Sequence, residues 1–159
     1  MVIAYTGMNR RDRVLDAGTG SGVAAIYFGG VAGQVRTYEI REEFAEKARK
    51  NIAAANLGNV TVLAGDVLTA EGEYEVVHLD MQTGPDHVAL AHRLLVPGGF
   101  LACYTPFLEQ VFSIHDAALS LFSQVRVVEC IERELTRTPR GTRPSTRVCH
   151  SGYLTFARK

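Results

Sequence analysis

Tryptophan is absent from the 159 residues, cysteine occurs three times and proline five, and neither sign of charge prevails, with 17 Lys plus Arg against 17 Asp plus Glu. A net charge of zero removes any whole-molecule argument for a polyanionic partner or a membrane surface. Cys103, Cys130 and Cys149 are an odd number with no CxxC or His-Cys ligand spacing. That excludes a disulfide scaffold and a zinc site, so free thiols and no metal are expected. No apolar run reaches the roughly 18 residues of a membrane span, and MVIAYTGMNRRDR lacks a long apolar segment behind a basic start. A cytoplasmic protein is the expectation. A charged fraction of 21% and a mean hydropathy of +0.02 exclude disorder, while 47% apolar residues suffice for one core. Residues 1–159 are therefore read as a single domain.

The chain alternates short β-type runs with helical patterns, which implies parallel β-α-β units. Strands are expected at Arg13 to Ala17, Gln34 to Glu39, Val60 to Ala64, Tyr74 to Asp80 and Phe100 to Tyr104. Helices are expected at Ser21 to Gly29, Arg41 to Asn56, Asp86 to Leu95 and Phe107 to Leu121. In the second of these, Phe44, Ala48, Ile52 and Ala55 form the apolar face, opposite Glu43–Lys47 and Glu46–Lys50 pairs. Pro97-Gly98-Gly99 turns the chain into the fifth strand. A long strand over Gln124 to Leu135, a loop over Thr136 to Thr146 and a final strand over Arg147 to Ala157 complete the pattern. The expected fold is an α/β, Rossmann-like, doubly wound sheet of seven strands ending in an antiparallel hairpin.

The first strand runs into Asp16-Ala17-Gly18-Thr19-Gly20-Ser21-Gly22, a glycine-rich turn at the carboxyl edge of the sheet, where such folds bind ligands. Its spacing is G-x-G-x-G, with Val23 where a dinucleotide fingerprint needs glycine, so NAD is disfavoured. No Lys-Ser/Thr pair follows, so a P-loop is excluded. Glu39, ending the second strand, is placed to accept from both hydroxyls of a ribose. Asp66, with Val67 behind it, is placed either to accept from an adenine amino group or to cap the next turn. The apolar run Val76-Val77-His78-Leu79 delivers Asp80 to the same edge as the catalytic candidate, with a turn-forming Asp as the plain alternative. His78 reads as a packed residue, and His87 and His92 as surface histidines. Glu134 is the last acid, after which come Arg137, Arg140, Arg143, Arg147, Arg158 and Lys159. The first four of these either meet RNA phosphates or form a solvated loop.

With these residues in place, the sequence resembles the class I S-adenosylmethionine-dependent methyltransferases, and within them the tRNA adenine-N1 methyltransferases of the TrmI kind. VLDAGTGSG at 14–22, VRTYEIREEFAEKARKN at 35–51, LLVPGGFLACYTPFLEQV at 94–111 and RPSTRVCHSGYLTFARK at 143–159 are similar to that family's blocks, in its order. The resemblance implies S-adenosylmethionine as cofactor, with Gly18, Gly20 and Gly22 along its methionine part. Asp16 and Thr19 belong to the same block, Glu39 is implied on the ribose, and Asp66 with Val67 on the adenine. Asp80 is implied beside the target base and Tyr104 in the wall of its pocket, with His150 and Tyr153 structural. tRNA is the implied partner, and a homo-oligomer, a tetramer in that family, the implied assembly. Family members carry an N-terminal β-rich domain and a Tyr-Pro-Lys-Asp segment ahead of the matched region, and the sequence here is expected to start after both. The family's Pro-Trp after the catalytic Asp is replaced by Met81-Gln82-Thr83-Gly84-Pro85. A single-domain small-molecule methyltransferase of the precorrin type and a non-catalytic tRNA-binding subunit are the alternative readings.

Overall fold

Strands that read as near-continuous apolar runs must be covered on both faces, and the central ones here are. A computed structural model of the chain describes residues 1–132, 134–139, 141–144 and 152–159. Its parallel core is β1 (Arg13–Ala17), β2 (Gln34–Glu39), β3 (Val60–Ala64), β4 (Tyr74–Leu79) and β5 (Leu95–Thr105). Beyond them lie β6 (Gln124–Glu129), β7 (Leu135–Thr138), β8 (Gly141–Pro144) and β9 (Tyr153–Arg158). Seven strands form one sheet in the order β3-β2-β1-β4-β5-β9-β6, with β9 antiparallel to both its neighbours. The expected doubly wound sheet with a terminal antiparallel pair is therefore the fold observed.

The helices are α1 (Val2–Thr6), α2 (Val23–Gly29), α3 (Glu42–Ala54), α4 (Pro85–Leu94) and α5 (Leu108–Leu119). Alternation along the strands sorts them into two layers. Val14, Val35 and Val76 face one way, into a core with Phe28, Ala48 and Ile52 under α1 to α3. Leu15, Val77, Leu79 and Leu101 face the other way, against Val88, Leu94, Ile114 and Ala118 of α4 and α5. The chain leaves β1 outward to β2 and β3, then returns across it to β4. The crevice at the carboxyl ends of β1 and β4 is therefore the topological switch point, where open α/β sheets bind ligands.

Several boundaries differ from expectation for identifiable reasons. Helix α3 buries Ala45, Ala48 and Ile52; Phe44 is only half-buried, under the Arg41 guanidinium 3.9 Å from its ring centre, and Ala55 lies exposed past the helix end. An ion pair on that helix joins Arg49 to Glu42 at 2.8 Å. Pro97-Gly98-Gly99 lies inside β5, as an irregularity in its pairing with β4 between Tyr74 and Val76, rather than before the strand. The long strand expected over Gln124 to Leu135 stops at Glu129, and the expected loop contains the antiparallel pair β7–β8, whose Thr-rich composition suits extended backbone. Helix α1 was not expected; its Tyr5 stacks on Phe156 with ring centres 4.6 Å apart. Cys103 is buried and Cys130 partly so, both with free thiols, and burial pushes the Cys103 thiol far up; Cys149 lies outside the described residues.

Candidate active site

The glycine turn is shaped by its neighbours as much as by any ligand. Gly18 has φ +84°, and a Cβ built there would lie 1.9 Å from the backbone oxygen of Asp80. Only glycine lets the ends of β1 and β4 abut, where Asp80 N–H donates to the Ala17 carbonyl at 2.9 Å. The turn is tied to β2 by Gly18 N–H donating to the Tyr38 carbonyl at 3.0 Å and by Gly20 N–H donating to Glu39 Oε2 at 2.9 Å. Gly22 precedes the first residue of α2 and lies against Ala48 of α3, where a Cβ would come within 3.3 Å.

Beside this turn opens a cleft of about 660 Å³ whose walls include Gly18, Glu39, Asp66, Val67 and Asp80. The switch point has thus gathered five of the residues singled out in the sequence. Glu39 is 4% exposed. Burial alone pushes its carboxyl up, but the Gly20 N–H, together with the Arg41 side chain and backbone N–H, more than offsets this and holds it below the ordinary range. An ionised acceptor thus stands at the end of β2. Asp66 Oδ1 accepts from Leu68 N–H at 2.9 Å, capping the 3-10 turn Val67–Thr69, so the capping role is real while the residue also lines the cleft.

Asp16 and Thr19 lie beneath the turn instead. Asp16 Oδ2 accepts from the Thr37 hydroxyl at 2.5 Å, Asp16 Oδ1 is 2.7 Å from His78 Nδ1, and the Thr19 and Thr37 hydroxyls are 2.5 Å apart. A second cavity of about 390 Å³ is lined by His78, Asp80, Tyr104, Tyr27 and Phe28, with Val2 and Ile3 from α1. Asp80 is common to both cavities. Partial burial lifts its carboxyl above the ordinary value, outweighing the lowering influence of the neighbouring His78, and the charge of Asp16 adds a smaller rise. Tyr104 is held on that side by Gly152, whose φ of +146° and missing Cβ leave room for the phenol ring.

Residues that sequence reasoning did not assign to the site also line the cleft. Ile40 is 74% exposed there, and Arg41, Met81, Gln82 and His87 join it. Ile40 and Arg41 follow directly on the acidic end of β2, so their position after Glu39 was a usable signal. His87 was read as a surface residue; its Nδ1 accepts from Gly84 N–H at 3.1 Å, which turns the start of α4 toward the cleft. Of the basic cluster, Arg137 is exposed on β7, opposite Thr142. Arg140 and Arg147 lie outside the described residues, as does the side chain of Arg143.

Residues 14–99 match the methyltransferase domain family. The chain belongs to the class I S-adenosylmethionine-dependent methyltransferases. Over 99% of its length the methyltransferase is 32% identical to the tRNA (adenine(57)-N(1)/adenine(58)-N(1))-methyltransferase TrmI of Methanocaldococcus jannaschii, covering 68% of that protein. It superposes on the crystal structure of tRNA (m1A58) methyltransferase TrmI from Aquifex aeolicus with a TM-score of 0.90 at 30% identity, covering 99% of this chain and 66% of that one. A SAM-dependent O-methyltransferase from Thermotoga maritima gives a TM-score of 0.92 at 28% identity, covering 99% of this chain and 63% of that one. The chain spans about two thirds of the length of these relatives. Among the described residues no helix is long and apolar enough to cross a membrane.

The larger cleft suits the cofactor this family implies. Its volume lies in the ordinary range for small-ligand sites. It offers an ionised carboxylate at Glu39 for hydroxyl groups, a carboxylate at Asp66 for an amino group, apolar walls at Ile40 and Val67, and bare backbone at Gly18.

Proposed function

We propose that this methyltransferase transfers a methyl group from S-adenosylmethionine to N1 of an adenine in tRNA, position 58 being the one common to the names of the TrmI relatives. The observation that carries the reading is Asp80, which stands on the wall shared by the Gly18–Glu39–Asp66 cleft and the Tyr104 cavity. A carboxylate there meets an acceptor on one side while the other side holds the methyl donor. When bound, S-adenosylmethionine supplies an electrophilic methyl group on a sulfonium. The chain's own residues supply binding and alignment. Glu39 takes the ribose hydroxyls and Asp66 the cofactor's amino group, with Gly18, Gly20 and Gly22 along the methionine part. Thr19 and Asp16 brace that turn from below. Asp80 accepts from the exocyclic amino group of the target adenine, which draws electron density toward N1 and fixes the ring for in-line attack. Partial desolvation strengthens that contact. Tyr104 closes the far wall. Arg137, Arg140, Arg143 and Arg147 engage tRNA phosphates without reading sequence. The same reading carries a cytoplasmic homo-oligomer.

The test is incubation of the protein with S-adenosylmethionine and unmodified tRNA, followed by nucleoside digestion and mass spectrometry. 1-Methyladenosine is expected. A protein that binds S-adenosylmethionine yet forms no methylated nucleoside overturns the tRNA acceptor and leaves the small-molecule reading in its place.

A further inference from the structure

Three neighbouring strands place a row of polar side chains on the face under α2, where the rest of the layer is apolar. Asp16 pairs in register with Thr37 on β2 and with His78 on β4, so the three stand side by side. All are buried, His78 being 5% exposed and Asp16 1%. Burying such groups is costly unless each is satisfied, and the hydrogen bonds set a direction. The Thr37 hydroxyl gives its proton to Asp16 Oδ2, so its oxygen accepts from Thr19. The other carboxylate oxygen faces His78 Nδ1 at 2.7 Å, so Nδ1 carries the hydrogen. In the neutral ring Nε2 is then a bare acceptor.

His78 borders a cavity. His78 lines the 390 Å³ pocket with Asp80, and the two lie at i and i+2 on the chain, on one face of the sheet edge. Phe28 packs edge-on against the imidazole, with centres 5.1 Å apart, and fixes the ring plane. The other ionisable side chains lining the cavity are those of Tyr27 and Tyr104. His78 is thus oriented from behind by the glycine turn, through Thr19, Thr37 and Asp16, and lines the same cavity as the Asp80 carboxylate.

We propose that His78 is a substrate-binding residue whose Nε2 accepts a hydrogen bond from the amino group of the target adenine, alongside Asp80. This rests on the adenine-N1 reading above. Methylation of N1 forms an N–C bond as the carbon–sulfur bond breaks; the positive charge passes from sulfur to the base, and no proton has to leave. The charge spreads onto the exocyclic amino group, whose two N–H bonds become stronger donors. Two acceptors match two donors. A fixed lone pair on His78 therefore binds the methylated cation more tightly than the neutral base, which is the condition for accelerating transfer.

Two variants and one spectrum test the inference. His78→Asn keeps an amide N–H for Asp16 while deleting the far acceptor; His78→Gln restores a polar atom near the Nε2 position. His78→Asn is expected to lower kcat roughly tenfold or more, the loss of one hydrogen bond to a charged group, with S-adenosylmethionine affinity unchanged. His78→Gln is expected to recover part of the rate. Nitrogen NMR of the histidine-labelled wild-type protein, with His78 assigned by difference, is expected to show the Nδ1–H tautomer and a shift of Nε2 on adding adenosine with S-adenosylhomocysteine. An Nε2–H tautomer overturns the proposal, as does full activity in His78→Asn or equal loss of cofactor binding. Formation of 1-methyladenosine by the wild type tests the functional reading separately. If the wild type forms it and His78→Asn does so equally well, the His78 assignment alone falls. If the wild type forms none, the tautomer and the adenosine shift decide.

Discussion

Replacing Gly18 by alanine separates a glycine needed by the fold from one needed only by its turn. The added Cβ would lie 1.9 Å from the Asp80 carbonyl oxygen and 2.6 Å from its carbon, both backbone atoms that cannot rotate aside. Real Cβ atoms essentially never come closer than 3.0 Å to another heavy atom, so the strand ends must part by at least about 1 Å. That opening stretches the 2.9 Å bond from Asp80 N–H to Ala17 beyond useful range. The left-handed φ of +84° costs an alanine roughly 1–2 kcal/mol, and overpacking a further 1–3 kcal/mol. The two costs together come to about 2–5 kcal/mol, and at about 2–4 °C per kcal/mol for a chain of this size Tm should fall by roughly 4–20 °C. Because the displaced segment carries Asp80, methyl transfer should fall by about 100-fold, the usual loss for an ångström of misplacement. Gly20→Ala is the control. Gly20 also has positive φ, at +54°, but the nearest atom to its Cβ would be 3.9 Å away, so only the conformational cost of roughly 1–2 kcal/mol is expected. Thermal unfolding of both variants and methyl transfer by Gly18→Ala decide the matter. Equal Tm losses in the two variants, or wild-type transfer in Gly18→Ala, would refute the argument that the glycine exists for the approach of β1 to β4.

The alternation of patterns made the parallel sheet legible, because an apolar run such as Val76-Val77-His78-Leu79 has few other places to go. The switch point followed from connectivity, and with it the meeting of Gly18, Glu39, Asp66 and Asp80. What stayed hidden depended on registers that composition does not encode. Asp16 looked like one more cofactor-block residue, yet pairing with Thr37 and His78 sends it under the turn. His78, read as packed, is buried as expected but also walls a cavity, since one edge of a ring can be buried and the other not. The β7–β8 pair was obscured by Pro139 and Gly141, which signal a break but equally serve a tight hairpin. The Gly152–Tyr104 contact joins residues 48 positions apart and leaves no local trace.

Glu39→Gln keeps an acceptor for Gly20 N–H but removes the charge, so S-adenosylmethionine should bind roughly tenfold more weakly by calorimetry; unchanged affinity would remove Glu39 from the ribose site. Because the folded protein holds Glu39 below its ordinary 4.5, its stabilising contribution is present above that pH and lost as pH falls through the lower folded value. The variant should lack this part of the acid dependence in pH-resolved unfolding. Asp80→Asn should abolish transfer while leaving cofactor affinity near wild type. The folded carboxyl is raised above its ordinary 3.8, so burying its charge costs stability as pH rises through the folded value, and the variant should unfold at slightly higher temperature at pH 7 but not at pH 3. Arg140→Ala with Arg143→Ala tests the acceptor itself. Two lost phosphate contacts should lower the slope of log tRNA affinity against log salt by roughly two, at about 0.9 or less per contact, and leave cofactor binding untouched. The net charge of the whole chain is zero, so no diffuse field substitutes for these side chains. If tRNA binds equally well with and without them, the run after Glu134 is a solvated face, and the acceptor must be sought among molecules small enough for the 390 Å³ cavity beside Tyr104.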